Sequence, residues 1–385
     1  MEIIDLMDYF DEVEVEEEYD GYFYKVSEII KIIILGSLCG LKNVKQIHQW
    51  AVNGRVSEFL KEKFAIDRIP CYYWMLCLLK IVKPESLNDC FKRWVSSFMP
   101  AYKEEEENSE RDNLTISVDG KTVRSTKKMK KYQGSALHIV SAQLAELGLT
   151  FAQQAVDSKS NEIPAVQALL SELDIRGCLV TADALNCQTK TAEIILEGKG
   201  DYLLCAKDNH EQTRKAVEEC INDEENKDKI SQAETQETNR GRIEKRTGYT
   251  IPFAVLNREK LCDENWPELA CIGAVHREFE TNGKKTDEWH YYISSRVLTA
   301  EELLHDARME WTVETMHWLL DVRLDEDKCR VEDKNVQRNL NILRKISLNL
   351  IRLFKQRTES KRPFSHIMMD CLLDPYRLIE VFSQN

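Results

Sequence analysis

The sequence predicts a mixed α/β protein, a sheet flanked by helices, with an all-α region ahead of it and a β-rich insertion within it. Three observations carry this. Residues 23–98 place apolar side chains at helical spacing. Residues 114–207 run β-β-β-α-β-α-β, an order that gives a mixed sheet with helices on its faces. Strand-like segments then return between 242 and 295 before helical periodicity resumes at 300. At 385 residues the chain exceeds one compact core and suggests two or three domains.

Taken in order, residues 1–22 form an acidic tail, with ten acids and no Lys or Arg in the first 20. Helical texture fills 23–102, where "VSEIIKIIILGSLCGLKNVKQIHQWAV" breaks at Gly-Leu-Lys-Asn and Pro84 and Ser86 mark a new start. The polar run 103–113 reads as a linker. The first part of the core, 114–222, begins with strands "LTISVD", "ALHIVSAQLA" and "LTFAQQAVD". A helix over 161–173 follows, with Ser160 or Asn161 as its cap. Next come the strand "GCLVTADA" (177–184), a helix over 186–198 and the strand "DYLLCAK" (201–207). Residues 223–298 are the β-rich insertion. Residues 299–357 complete the core, with one helix expected over 300–322 and an amphipathic one over 335–357, and 358–385 form a C-terminal segment.

Composition excludes several classes. The apolar run 29–41 is too short for a membrane span and carries Lys31, and the acidic N-terminus does not read as a signal peptide. The twelve cysteines stand singly, without C-x-x-C pairs, as small buried hydrophobes of a reducing cytoplasm. A net charge of −13 argues against a nucleic-acid partner only as an average. Residues 121–131 hold six bases and no acid, and 334–362 is also basic. These are two positive patches.

Two aspartates share one setting. Asp119 ends "TISVD" and Asp183 sits in "CLVTADA", each at the C-terminal end of a buried strand, where open sheets place their sites. A carboxylate there calls for a positive partner, and oxygen ligands suit Mg²⁺ or Mn²⁺. The segment "RMEWTVETMHWLLDVRLDED" offers Glu310, Glu314 and Asp321 as a third acid, with His317 on the face of Glu314 and Asp321. Spacing leaves Glu310 and Glu314 both open. Trp311 and Trp318 are placed to pack this helix on the sheet.

Together these motifs resemble the DDE transposases of insertion sequences, in the ISAs-type group that includes the H-repeat-associated proteins of Rhs elements. The likeness rests on "SVDGKTVR" (117–124), "QQAVDSKSNEIPAV" (153–166), "VTADALNCQ" (180–188), "DYLLCAKDN" (201–209), "GRIEKR" (241–246) and "WTVETMHWLLDVRLDED" (311–327), and covers the chain from about residue 25. It implies an RNase H-like core and a triad of Asp119, Asp183 and Glu314, settling the choice against Glu310. It further implies two Mg²⁺ or Mn²⁺ ions bound by that triad, and no small-molecule cofactor. Double-stranded DNA, both transposon ends and target, becomes the expected partner, met by a homodimer in the cytoplasm or on the nucleoid. Lys121, Arg124, Lys127, Lys128, Lys207, Arg240, Arg242 and Arg246 are then expected at phosphates. Glu310 and Thr315 stand where such proteins usually have His and Asn. That departure keeps two alternatives: a DNA-binding remnant or repressor, and a nuclease that cuts without strand transfer.

Overall fold

The computed structural model describes residues 9–16, 24–102, 110–129, 136–156, 162–239, 242–256, 266–281 and 284–382. Five helices open the fold: α1 (Val26–Leu38), α2 (Val44–Ala51), α3 (Gly54–Phe64), α4 (Tyr72–Ile81) and α5 (Pro84–Ser96). Helix α1 is apolar around most of its surface beyond Glu28, with Ile29, Ile30, Ile32, Ile33 and Ile34 all buried and Lys31 partly exposed, so most of it lies inside. Residues 9–16 belong to the expected acidic tail, yet they pack here. Phe10 is buried, Val15 bridges Val82, and Glu12 and Glu14 pair with Arg93 and Lys83.

One nine-stranded sheet follows, in the order β3-β2-β1-β4-β5-β9-β8-β7-β6. Its first half joins β1 (Thr115–Val123), β2 (Leu137–Leu144) and β3 (Leu149–Val156) as an antiparallel meander. Strands β4 (Leu179–Ala182) and β5 (Asp201–Ala206) run parallel to β1 because helical crossovers return the chain: α6 (Glu162–Glu172) and α7 (Thr189–Glu197). After α8 (Glu211–Asn222) come β6 (Ser231–Asn239), β7 (Arg242–Pro252), β8 (Cys271–Thr281) and β9 (Lys284–Ser294). This β-rich stretch is no separate unit, since β9 pairs antiparallel with β5 and extends the sheet. The mixed sheet flanked by helices, with helices ahead of it, is the predicted fold class.

The segment expected as one helix over 300–322 divides into α9 (Ala300–Met309) and α10 (Thr312–Leu324). The break has a local cause. The Met309 carbonyl accepts the hydroxyls of Thr312 at 2.7 Å and Ser117 at 2.8 Å, so side chains take an acceptor that the helix would use. The Ser117 bond also pins the break to β1, two residues before Asp119.

Helix α11 (Lys334–Arg357) is the hub, buried nearly continuously from Val336 to Ile351 and packed on α1, α4, α5 and β3. Each fully buried Leu or Ile in it contributes about 1.5–3 kcal/mol. Lys345 lies inside as well, its ammonium nitrogen donating to Ser141 Oγ at 2.7 Å and Gln153 Oε1 at 2.6 Å. Helices α12 (Phe364–Leu373) and α13 (Arg377–Phe382) close the chain. No helix among the described residues is long and apolar enough to cross a membrane. The described cysteines are unpaired, and most are buried as expected, although Cys71 is exposed.

Candidate active site

Sheet topology sets the two aspartates side by side. The β1–β4 pairing ends at Val118 opposite Ala182, so Asp119 and Asp183 are the next residues of two adjacent parallel strands, spaced about 4.8 Å in the hydrogen-bonding direction. Strand β1 itself runs on to Val123, so Asp119 ends the pairing with β4 and not the strand. Gly120 lies within the strand. Its role is room: a Cβ there would come 2.6 Å from the Glu162 carboxylate.

Glu162 is the acid that the sequence did not single out. One ligand oxygen each from Asp119, Glu162 and Asp183 lies within 4.8 Å of the others. Glu162 stands at the start of α6, where an acid ordinarily reads as compensation for the helix dipole. Here it is only 3% exposed and held from two sides. His138 Nε2 sits 2.7 Å from Glu162 Oε2, while Asn186 donates to Glu162 Oε1 at 3.2 Å and to Asp183 Oδ1 at 2.8 Å. Thr122 Oγ1 lies 3.0 Å from His138 Nδ1. The only sequence signal for Glu162 was its place in the stretch 153–166 that carries the family likeness. The caps proposed for its helix, Ser160 and Asn161, lie outside the described residues.

Helix α10 approaches from the other side. His317 Nδ1 lies 3.3 Å from Asp119 Oδ2, so this residue orients the aspartate. Glu314, in the first turn of α10, is exposed and stands outside the 4.8 Å set. Glu310 connects them electrostatically. Burial, with Asp183, Asp119 and Glu314 as like-charged neighbours and Lys207 opposing, pushes its carboxyl up to about 8. The Asp183 carboxyl is also raised, first by burial and then by Asp119 and Glu162, against the Asn186 hydrogen bonds. Carboxylates so crowded in a half-buried site repel one another, and a divalent cation relieves that repulsion.

The cations expected at phosphates divide. Arg124 and Lys127 are exposed, as is Lys207 just beyond β5. Lys121 is not available. Its ammonium nitrogen is 2.6 Å from both Asp321 Oδ1 and Glu326 Oε2, and its side chain is 10% exposed. Arg246 is likewise engaged, paired with Glu244 and placed over Trp311 with its guanidinium carbon 5.6 Å from the ring centroid. Arg277 approaches the same ring at 4.5 Å, so Trp311 packs among guanidiniums. Trp318, expected to pack on the sheet, is 51% exposed. Arg240 and the side chains of Lys128 and Arg242 lie outside what is described.

Comparison with known proteins decides the family. The profile described as Transposase DDE domain matches residues 110–350, and one described as DDE_Tnp_1-associated matches 7–95. The chain belongs to the DDE transposase family. Its relatives include YbfL and the H repeat-associated YhhI of Escherichia coli (strain K12), each 30% identical over 337 residues, 85% of this chain and 85% of the relative. YncI of Escherichia coli O157:H7 is 30% identical over 361 residues, 91% of this chain and 88% of the relative. A solved piggyBac transposase synaptic complex with hairpin DNA aligns over 98% of this chain and 81% of that one. At 8% identity and a TM-score of 0.44, that likeness carries no argument. Membership of the DDE family makes the protein a nucleic-acid-cleaving enzyme by descent.

Proposed function

We propose that this DDE-family protein cuts DNA at the ends of a mobile element and joins the freed 3′-OH to target DNA. The observation that carries this reading is the convergence of Asp119, Glu162 and Asp183 beside the start of α10. Their all-oxygen donor set fits Mg²⁺ or Mn²⁺. In the proposal Asp119, Asp183 and Glu314 hold two such ions, and Glu162 completes the inner side of the site. Divalent ions held there supply charge stabilisation to the attacking and leaving oxygens of a phosphoryl transfer.

The residues of the chain do the positioning. His317 fixes Asp119 from α10, while His138 and Asn186 fix Glu162 and Asn186 also holds Asp183 directly. In the cutting step water displaces the 3′-oxygen from a phosphodiester, and in the joining step that 3′-oxygen displaces one from the target. Lys207, Arg124 and Lys127 are the exposed cations proposed to meet the phosphates of double-stranded DNA, with two copies of the chain acting on one complex.

The test is a cleavage and strand-transfer assay with the element's own ends, with and without chelator. Asp119→Ala, Asp183→Ala and Glu314→Ala are expected to lose cleavage and keep end binding. Full activity in any of them, or in the presence of chelator, would overturn the assignment. Pre-cut ends that are never joined would leave a nuclease of the same fold.

A further inference from the structure

A large cleft lies away from the acids. It measures about 780 Å³, between α2 and α4 on one side and the chain from Asp325 to Val336 on the other. That is within the roughly 300–1,000 Å³ usual for sites that enclose a small ligand.

Its lining is unusual for this acidic protein. Six Lys or Arg and three Asp or Glu face it. Asp325 is already paired with Lys42 and Lys328, and Asp333 caps α11 through the amides of Asn335 and Val336. Lys45, Lys80 and Arg330 are exposed, with no carboxylate at ion-pair distance among the described residues. On the floor, Arg344 is 3% exposed. Its Nη2 donates to the Lys42 carbonyl at 3.1 Å, while its buried Nη1 has no partner. A buried guanidinium nitrogen without an acceptor is rare and calls for one.

At the rim, α4 begins with two exposed tyrosines, Tyr72 at 45% and Tyr73 at 66%. The Cys71 side chain does not cap that helix, and no acid lies in its first turn. Flat rings beside unpaired cations suit a ligand with both a π-face and a phosphate.

We infer that this cleft binds an unpaired nucleotide of a DNA strand, its base stacked on Tyr72 or Tyr73 and its phosphates on Lys45, Lys80 and Arg330. The inference rests on the proposed DNA function, and α10 supplies the geometry. That helix carries Glu314 beside the acids at one end and is followed by Asp325 on the cleft wall at the other. Eleven helical residues span about 16 Å, close to five base-pair steps of 3.4 Å. A strand engaged at the acids therefore reaches the cleft about five nucleotides away.

The experiment measures binding of the full chain to a labelled oligothymidine of about eight nucleotides, and to a duplex of equal length, across a salt series. Tyr73→Ala is expected to weaken oligothymidine binding about 5- to 150-fold while changing duplex binding little. Lys45→Ala combined with Lys80→Ala is expected to lower the salt slope for the single strand by about 1.4. Tyr73 is two-thirds exposed, so its truncation leaves the fold in place. Wild-type oligothymidine binding in both variants would overturn the cleft, as would equal losses for single strand and duplex. Self-association of the wild type that Tyr73→Ala abolishes would give the cleft to a second copy and also overturn it. Duplex binding and end cleavage without oligothymidine binding would sink the cleft alone. A chain that binds neither DNA would sink the proposed function too.

Discussion

Lys121→Met is expected to destabilise the protein by about 3–5 kcal/mol, the usual cost of leaving a buried charge without its partner. The Lys121 nitrogen lies 2.6 Å from Asp321 Oδ1 and 2.6 Å from Glu326 Oε2, and the side chains are 10%, 32% and 2% exposed respectively. Nearly all of the cost sits with Glu326, because Asp321 is a third exposed and its pairing is screened to less than about 1 kcal/mol. Adding Glu326→Gln removes the stranded charge, so the double variant should recover to a cost of about 1–2 kcal/mol. The pH dependence has a definite sign. Burial alone would raise the Glu326 carboxyl, but Lys121 and Arg344 outweigh it and hold the group below the usual 4.5. A depressed folded value gives stabilisation that is complete above the unfolded value and lost as pH falls through the folded one. The gap between wild type and Lys121→Met should therefore be full near pH 7 and shrink under acid. Urea denaturation followed by tryptophan fluorescence measures it at both ends. A cost under about 1 kcal/mol near neutrality, or a gap indifferent to pH, would refute the buried pairing. It would also return Lys121 to the role of a phosphate contact.

Gly120→Ala puts a methyl group 2.6 Å from the Glu162 carboxylate. It should cost about 1–3 kcal/mol and lower cleavage while end binding holds; unchanged cleavage would mean that Glu162 can move without consequence. Lys345→Met tests the hub. Burial lowers the Lys345 ammonium from 10.5 to about 7, so between those values the unfolded chain binds a proton that the folded one does not. Wild-type stability should thus rise with pH across that window by up to about 1.4 kcal/mol per pH unit. The Met variant should lack that rise, and parallel stability curves for the two proteins would refute the buried neutral amine.

What could be read from the sequence was whatever adjacent residues determine. "TISVD" and "LVTAD" each read as a buried run ending in an acid, so Asp119 and Asp183 were visible before any contact was known, although β1 runs on to Val123. Glu162 was not, because its partners His138 and Asn186 each lie 24 residues away on other elements. The same limit misplaced two cations. Lys121 carries a charge that sequence shows, but the acids that neutralise it return 200 and 205 residues later at the far end of α10. Arg246 is taken up by Glu244 on its own strand and by Trp311, whose position depends on a helix break set by Ser117.

With 66 acids and 53 Lys or Arg, cations that the fold draws inward often meet a carboxylate, as Lys121 and Arg246 do. Charge counted along the chain therefore overstates the surface left for phosphates. It also hides surface of another kind. Lys45, Lys80 and Arg330 are scattered over 286 positions and form no run, yet they gather around one cleft, at ion-pair distance from no described carboxylate although Glu332 also lines it. A basic stretch beside a strand-end aspartate draws attention as a DNA contact, but pairing decides which cations remain free. By that criterion the cleft beside α4 is a stronger place for a DNA strand than Lys121.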